Sequence, residues 1–212
     1  MKIGVICHDY WHPGQTMMQG LEPLKAEGFQ LDFIQDGEAC TSSWQEDKAA
    51  VLIAKSNEAY TADSAPWLTE EKQTLLRNFV ENGGGLLVLH SGTVGYRNET
   101  AYFELIGGVF VSHPKACEVT VAYAGEPVLP VKEPRSFTVH DEHYFVDVLD
   151  ERIKVIMTSV SEHGTQPAGW VRGQGKGRVC VLTPGHFLEA LLHPHYQAAI
   201  AGGLRWCGGG SL

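Results

Sequence analysis

The chain has 212 residues, of which 43% are apolar and 19% charged, and 16 Lys plus Arg against 25 Asp plus Glu give a formal net charge of −9. That is the composition of one globular domain, so we draw a single domain over residues 1–212. Without clustered cations to displace counterions from phosphates, nucleic acid is excluded as the first expectation. No apolar stretch approaches the roughly 20 residues that cross a bilayer, and the N-terminus lacks the core and small-residue site of a signal peptide, so no membrane partner and a cytoplasmic location are expected.

In chain order, residues 2–7 (KIGVIC), 29–34 (FQLDFI), 49–54 (AAVLIA) and 85–90 (GLLVLH) read as strands, the last apolar on both faces. Strands buried on both faces belong to parallel sheets covered by helices. Between the first two, residues 17–27 carry Met18, Leu21 and Leu24 at helical spacing, with Gly28 as the stop. Between the third and fourth, Thr69 caps a helix running through Asn82, with Glu70 and Glu71 in its first turn and Leu75, Leu76, Phe79 and Val80 as its buried stripe. Strand, helix, strand in succession gives right-handed crossovers, so residues 1–110 are a doubly wound α/β half. Residues 109–111, 118–122, 136–139 and 144–148 are short alternating segments that read as an antiparallel extension at the sheet edge. Residues 153–159 and 177–182 return to the buried pattern, 195–207 reads as a closing helix, and 208–212 as a frayed end.

Five cysteines are widely spaced and form no Cys-x-x-Cys pair, which argues against a disulfide framework or a thiolate zinc site. Ten histidines are many for this length. His8, His12, His90 and His186 fall at or just past predicted strand ends, where open parallel sheets bind ligands. A second cluster, His140-Asp141-Glu142-His143-Tyr144, would split by strand alternation, with His140, Glu142 and Tyr144 on one side and Asp141 and His143 on the other. Three imidazoles and a carboxylate together suit a divalent transition metal with an open position. His193-Pro194-His195 reads as the approach to the last helix. Three further patterns point away from chemistry. Ser91 lacks the flanking glycines of a nucleophile elbow, residues 173–178 (GQGKGR) form a hairpin turn rather than a phosphate loop, and residues 82–85 (NGGG) cap a helix.

Several segments resemble, in order, the ThuA-like (trehalose utilisation) family within the class I glutamine amidotransferase-like superfamily. They are residues 83–90 (GGGLLVLH), Leu105-Ile106-Gly107-Gly108 with Phe110, His113-Pro114, Asp141-Glu142-His143-Tyr144, Pro167 with Trp170, residues 175–179 (GKGRV), Gly185-His186, and Gly203 to Trp206. His12 also resembles a histidine that such proteins carry after strand one. The resemblance implies a flavodoxin-like three-layer α/β sandwich with a mainly parallel sheet and an antiparallel β extension. Where true amidotransferases present a cysteine at the elbow, this chain has His90, which cannot accept a glutamine acyl group as a thiolate does, so glutaminase activity is not expected.

The resemblance further implies a carbohydrate-utilisation enzyme acting on a sugar or 3-keto sugar by isomerisation, elimination or hydrolysis. A ketone acidifies its neighbouring C–H, and a Lewis acid or imidazolium can stabilise the enolate. On this reading His12, His90 and His186 are metal or oxyanion-stabilising groups and Glu142 a base or fourth ligand, the metal being zinc, manganese or iron. His90, Glu142, His186 and Tyr144 are the catalytic set. Trp11, His113, Trp170, Lys176 and Arg178 are substrate contacts. No nucleotide cofactor is expected, the partner is a small sugar, and homo-oligomerisation is left open. The competing class is a non-catalytic sugar-binding or regulatory module on the same fold.

Overall fold

The computed structural model describes residues 1–58, 65–126, 128–148 and 151–209. The frayed end expected at 208–212 lies mostly outside them.

Five parallel strands form one side of the sheet: β1 (Lys2–Cys7), β2 (Gln30–Ile34), β3 (Ala50–Ala54), β4 (Gly85–Leu89) and β11 (Gly177–Leu182). They belong to one nine-stranded sheet of order β2-β1-β3-β4-β11-β10-β9-β6-β7, whose last four members are β10 (Gly164–Gln174), β9 (Lys154–Ser161), β6 (Cys117–Tyr123) and β7 (Phe137–Asp141), all paired antiparallel. β5 (Gly108–Ser112) and β8 (Phe145–Val148) pair only with each other. The antiparallel extension therefore exists, but two of its four expected segments leave the sheet to form a separate ribbon.

Strand β4 shows why the molecule has three layers. Leu87 and Leu89 enter one core with β1, α1 (Gly14–Leu21) and α6 (Pro194–Cys207), whereas Leu86 and Val88 enter the other with Leu76 and Val80 of α3 (Glu70–Glu81) and Leu105 of α4 (Thr100–Ile106). Alternate side chains of one strand thus face opposite helical layers, each removing apolar area from water at roughly 25 cal/mol per Å². Thr69 accepts from the Lys72 N–H and starts α3 where its capping chemistry predicts. The helix expected over 17–27 is α1 followed by a 3-10 helix over Glu22–Glu27, because Pro23 has no N–H to continue an α-helical ladder. Gly28 ends it in the left-handed region, at φ 88°.

The segment that sequence patterning does not reveal is β10, whose sequence GTQPAGWVRGQ is rich in glycine and polar residues yet runs for 11 residues between β9 and β11. A register irregularity beside Pro167 accommodates a residue that cannot donate to the ladder. The five cysteines are unpaired, and burial pushes the Cys7 thiol up to about 11 and the Cys207 thiol to about 12.

Candidate metal centre and its cavity

The carboxyl ends of β1, β3, β4 and β11 open onto one cleft, and each strand except β3 delivers a histidine to it. β4 breaks after Leu89 into a 3-10 turn over His90–Thr93, and His90 sits there at φ 40°, in the left-handed region that non-glycine residues rarely enter. Its carbonyl accepts from the Thr93 hydroxyl at 2.8 Å, which closes the turn. The buried imidazole has Nδ1 2.8 Å from the Thr183 carbonyl. A carbonyl only accepts, so Nδ1 carries the proton and Nε2 presents its lone pair to the cleft.

The loop after β1 is organised by Asp9. Its Oδ1 accepts from the backbone N–H groups of Trp11 and His12, both at 3.0 Å, and from His12 Nδ1 at 2.7 Å, while Oδ2 accepts from the Ser56 N–H at 2.8 Å. Burial works against ionisation of this carboxyl, but its bonds to His12, Ser56 and Trp11 outweigh that and hold it below the usual range. With Nδ1 thus engaged, His12 also turns Nε2 into the cleft. After β11, Asp141 plays the matching part, since its oxygens accept from the Gly185 N–H at 2.7 Å and the His186 N–H at 3.0 Å.

The three imidazoles stand at the corners of a triangle, with centroids 5.1 Å (His12–His90), 5.1 Å (His12–His186) and 5.5 Å (His90–His186) apart. Glu142 completes the cluster, with Oε2 3.2 Å from His186 Nδ1 and 3.4 Å from His90 Nε2. Both nitrogens are buried without a hydrogen-bond partner among the described residues, so proximity to the carboxylate does not satisfy them. One donor atom from each of His12, His90, Glu142 and His186 lies within 4.8 Å of the other three. Ligands at about 2.1 Å from a tetrahedral ion sit about 3.4 Å apart, so the donor set fits a divalent transition metal in chemistry and in spacing.

The electrostatics of His90 and Glu142 agree with that fit, whereas His186, paired with the carboxylate, is held toward its protonated form until a metal displaces the proton. Burial lowers the His90 pKa and keeps the ring neutral, as a ligand must be. The adjacent Glu142 carboxylate raises that of His186. For Glu142 burial opposes ionisation, but the His186 and His90 rings prevail and hold the carboxyl well below the ordinary carboxylate range.

Above the cluster lies a cavity of about 410 Å³. His12, Glu142 and His186 form its floor, and Trp11, Val94, Phe110 and Tyr144 its apolar walls, with Glu58 and His113 also on the lining. Tyr144 stacks on His90 at 4.0 Å between centroids. His113 faces the other oxygen of Glu142, with Nε2 3.6 Å from Oε1, and its Nδ1 donates to the Pro114 carbonyl at 2.7 Å. Trp11 is 59% exposed at the rim and meets Tyr10 edge to face at 4.7 Å. A more open cleft of about 760 Å³ lies at the opposite end of the sheet beside Ser42, Asn78 and Gly84, away from the histidines.

Three expected substrate contacts are corrected. Trp170 is fully buried in the second core, and its indole N–H donates to the Ile106 carbonyl at 2.7 Å. Lys176 and Arg178 lie at the turn entering β11, where Arg178 pairs with Gly85 at the start of β4, so both are at the far edge of the sheet. Arg178 donates there to the Trp206 carbonyl at 3.0 Å. His8 stays outside the triangle and accepts from the Gly14 N–H, and His193 accepts from the His195 N–H at the start of α6. His140 is exposed against Phe187. Asp9 and Glu58 are the contributors that residue type alone did not single out. The Asp9-x-Trp11-His12 spacing of an Asx turn was the available signal for the first.

The family model described as trehalose utilisation (ThuA) matches residues 4–207. No curated protein matches the chain. Among solved structures, a ThuA-like protein from Bacteroides uniformis superposes with a TM-score of 0.75 at 17% identity, covering 98% of this chain and 91% of that one. A cytoplasmic protein from Salmonella typhimurium LT2 gives 0.69 at 15% identity, covering 98% and 99%. A β-galactosidase from Rahnella sp. R3 gives 0.66 at 13% identity, over 94% of this chain but 30% of that one. Among the described residues no helix is long and apolar enough to cross a membrane. The match over nearly the whole chain, on this fold, makes the protein a member of the trehalose utilisation (ThuA) family.

Proposed function

We propose that the protein is a metal-assisted enzyme acting on a sugar or 3-keto sugar derivative. The observation that carries this reading is the pair of buried ring nitrogens, His90 Nε2 and His186 Nδ1, that meet Glu142 and His12 on a cavity floor without hydrogen-bond partners of their own. Burying unpaired polar atoms costs about 1–3 kcal/mol each, which a fold retains where a ligand satisfies them. Bound by His12, His90, His186 and Glu142, a divalent metal supplies a Lewis acid for a carbonyl or hydroxyl oxygen.

The chain's own groups do the rest. Asp9 and the Thr183 carbonyl fix the His12 and His90 tautomers, so that Nε2 of each stays a lone-pair donor. Glu142 either completes the ligand set or takes a proton from a carbon next to a ketone, and Oε1 faces His113, which can carry a proton toward the cavity mouth. Trp11 and Phe110 offer apolar surface to a sugar ring, and the enclosing walls limit water.

Elemental analysis of protein purified without an affinity tag tests the reading. About one transition metal per chain is expected, lost to a chelator together with turnover of a 3-keto sugar. A metal-free protein that binds sugar without turning it over would instead make it a non-catalytic binding module.

A further inference from the structure

We infer that His8, the strand-tip histidine outside the triangle, is a positioning residue that presets His12 for the metal by closing the loop between β1 and α1 into a ring. The inference rests on the metal reading above and adds a residue that touches neither the ion nor the cavity. His8 stands at φ 84°, in the left-handed region that glycine enters freely and side chains rarely do. Its side chain is exposed, so burial of apolar area does not offset that strain. What the imidazole does is accept the Gly14 N–H on Nδ1, at 3.2 Å. Gly14 opens α1, and Pro13, at the N-cap, has no side-chain acceptor for that amide. Gly14 is buried, and a Cβ on it would stand 3.0 Å from Cβ of His8, so the two ends of the loop are in contact.

The tautomer separates this histidine from the ligands. Because Nδ1 of His8 accepts, its proton lies on Nε2, the reverse of His12 and His90, whose Nδ1 groups donate to Asp9 and to the Thr183 carbonyl. Two anchors then hold the segment that carries His12, one on each side of it. Before His12, the tip of β3 grips the chain twice, through the Lys55 ammonium on the His8 carbonyl at 2.5 Å and through the Ser56 N–H on Asp9. After His12, the second anchor is the Gly14–His8 bond. Asp9 fixes how the His12 ring is turned, but one anchor alone leaves the turn it organises free to pivot over the sheet edge. Holding the ligand in place before the ion arrives removes the cost of ordering the loop from the binding step. Loss of the bond should therefore appear as weaker metal binding by a protein whose core stays folded.

Zinc titration of the metal-free protein against a chromophoric chelator tests this, with hydrogen exchange at the His12 and Gly14 amides as a readout that needs no metal. His8→Ala removes the acceptor, so it should weaken zinc binding about tenfold and speed both exchanges, with circular dichroism unchanged. His8→Gly removes the acceptor and the strain together and should weaken zinc binding at least as much, because the bond rather than the strain sets the loop. His8→Asn places an oxygen near the position of Nδ1 and tolerates the left-handed backbone, so it should stay within about threefold of the unsubstituted protein in affinity. If His8→Ala bound zinc as tightly as the unsubstituted protein, or if His8→Asn were weakened as much as His8→Ala, the inference would be overturned and the metal reading would stand. If the unsubstituted protein took up no zinc, both would fall, a result that shows before any substitution is made.

Discussion

Replacing Asp141 by Asn should damage stability and metal binding together, because one buried carboxylate holds the whole loop that carries His186 and braces His90. Its two oxygens accept from the Gly185 and His186 N–H groups at 2.7 and 3.0 Å, and Thr183, in the same loop, accepts from His90 Nδ1. Asn keeps one acceptor but loses the charge and turns an NH2 toward a backbone N–H, so one bond weakens and the other becomes a donor–donor contact. Bonds to a charged acceptor contribute about 1.5–3 kcal/mol each, and an unsatisfied buried donor costs about 1–3 kcal/mol, which places the loss near 2–4 kcal/mol. For a chain of this size that lowers Tm by about 5–15 °C. Urea unfolding followed by tryptophan fluorescence gives the first quantity and zinc titration the second, where a loss of about 10–100-fold is expected. Asp147→Asn, at an exposed pair with Arg97, is the control and should stay within about 0.5 kcal/mol. If Asp141→Asn matched that control in stability and held zinc normally, the loop would not depend on the carboxylate and the account of the site would be wrong.

Three further outcomes follow from the same geometry. His90→Ala should lower metal affinity at least about 100-fold and abolish turnover, while Ser91→Ala, buried beneath the turn, should leave the rate within about threefold; a dead serine variant would point to a serine hydrolase instead. Acidification should release metal and rate together and reversibly, with circular dichroism unchanged. Burial sets the folded pKa of His90 below the unfolded value of about 6.5, so its contribution is present above that pH and lost as pH falls through the folded pKa. His186, raised by Glu142, behaves oppositely, with its contribution full below about 6.5 and fading as pH rises through its folded pKa. Glu142 stays ionised throughout, so a rate that fell while metal stayed bound would point to a base other than these ligands. Arg178→Ala should cost about 1 kcal/mol through its bond to the Trp206 carbonyl and its place over that ring, and with Lys176→Ala should leave sugar binding unchanged in calorimetry.

How far the sequence carries depends on whether a residue's position follows from its own strand or from a distant one. β4 is legible because apolar side chains on both faces demand two helical layers, and the histidine at its tip must then lie at the ligand-binding edge. Trp170 is illegible for the opposite reason, because its place depends on β10, whose glycines and polar side chains conceal a central strand. Lys176 and Arg178 are legible, since they stand at the amino end of the strand whose carboxyl end leads to His186. The cluster at residues 140–144 is legible except at His140. Alternation puts Glu142 and Tyr144 together, and both line the cavity, while Asp141 turns to the Gly185–His186 amides and His143 to Ser159 and Ser161; β7 ends at Asp141, and His140 stands exposed beside Phe187 instead of joining Glu142. Family resemblance located the elbow, and the backbone there gives it a physical meaning. Holding His90 at φ 40° costs on the order of 1–3 kcal/mol, which is sustained by the bonds to Thr183 and Thr93. The resemblance to amidotransferases implies a cysteine at this position in those enzymes. Here the turn presents an imidazole, and because Nδ1 is tethered from behind, what the strained turn delivers to the cleft is a single oriented lone pair.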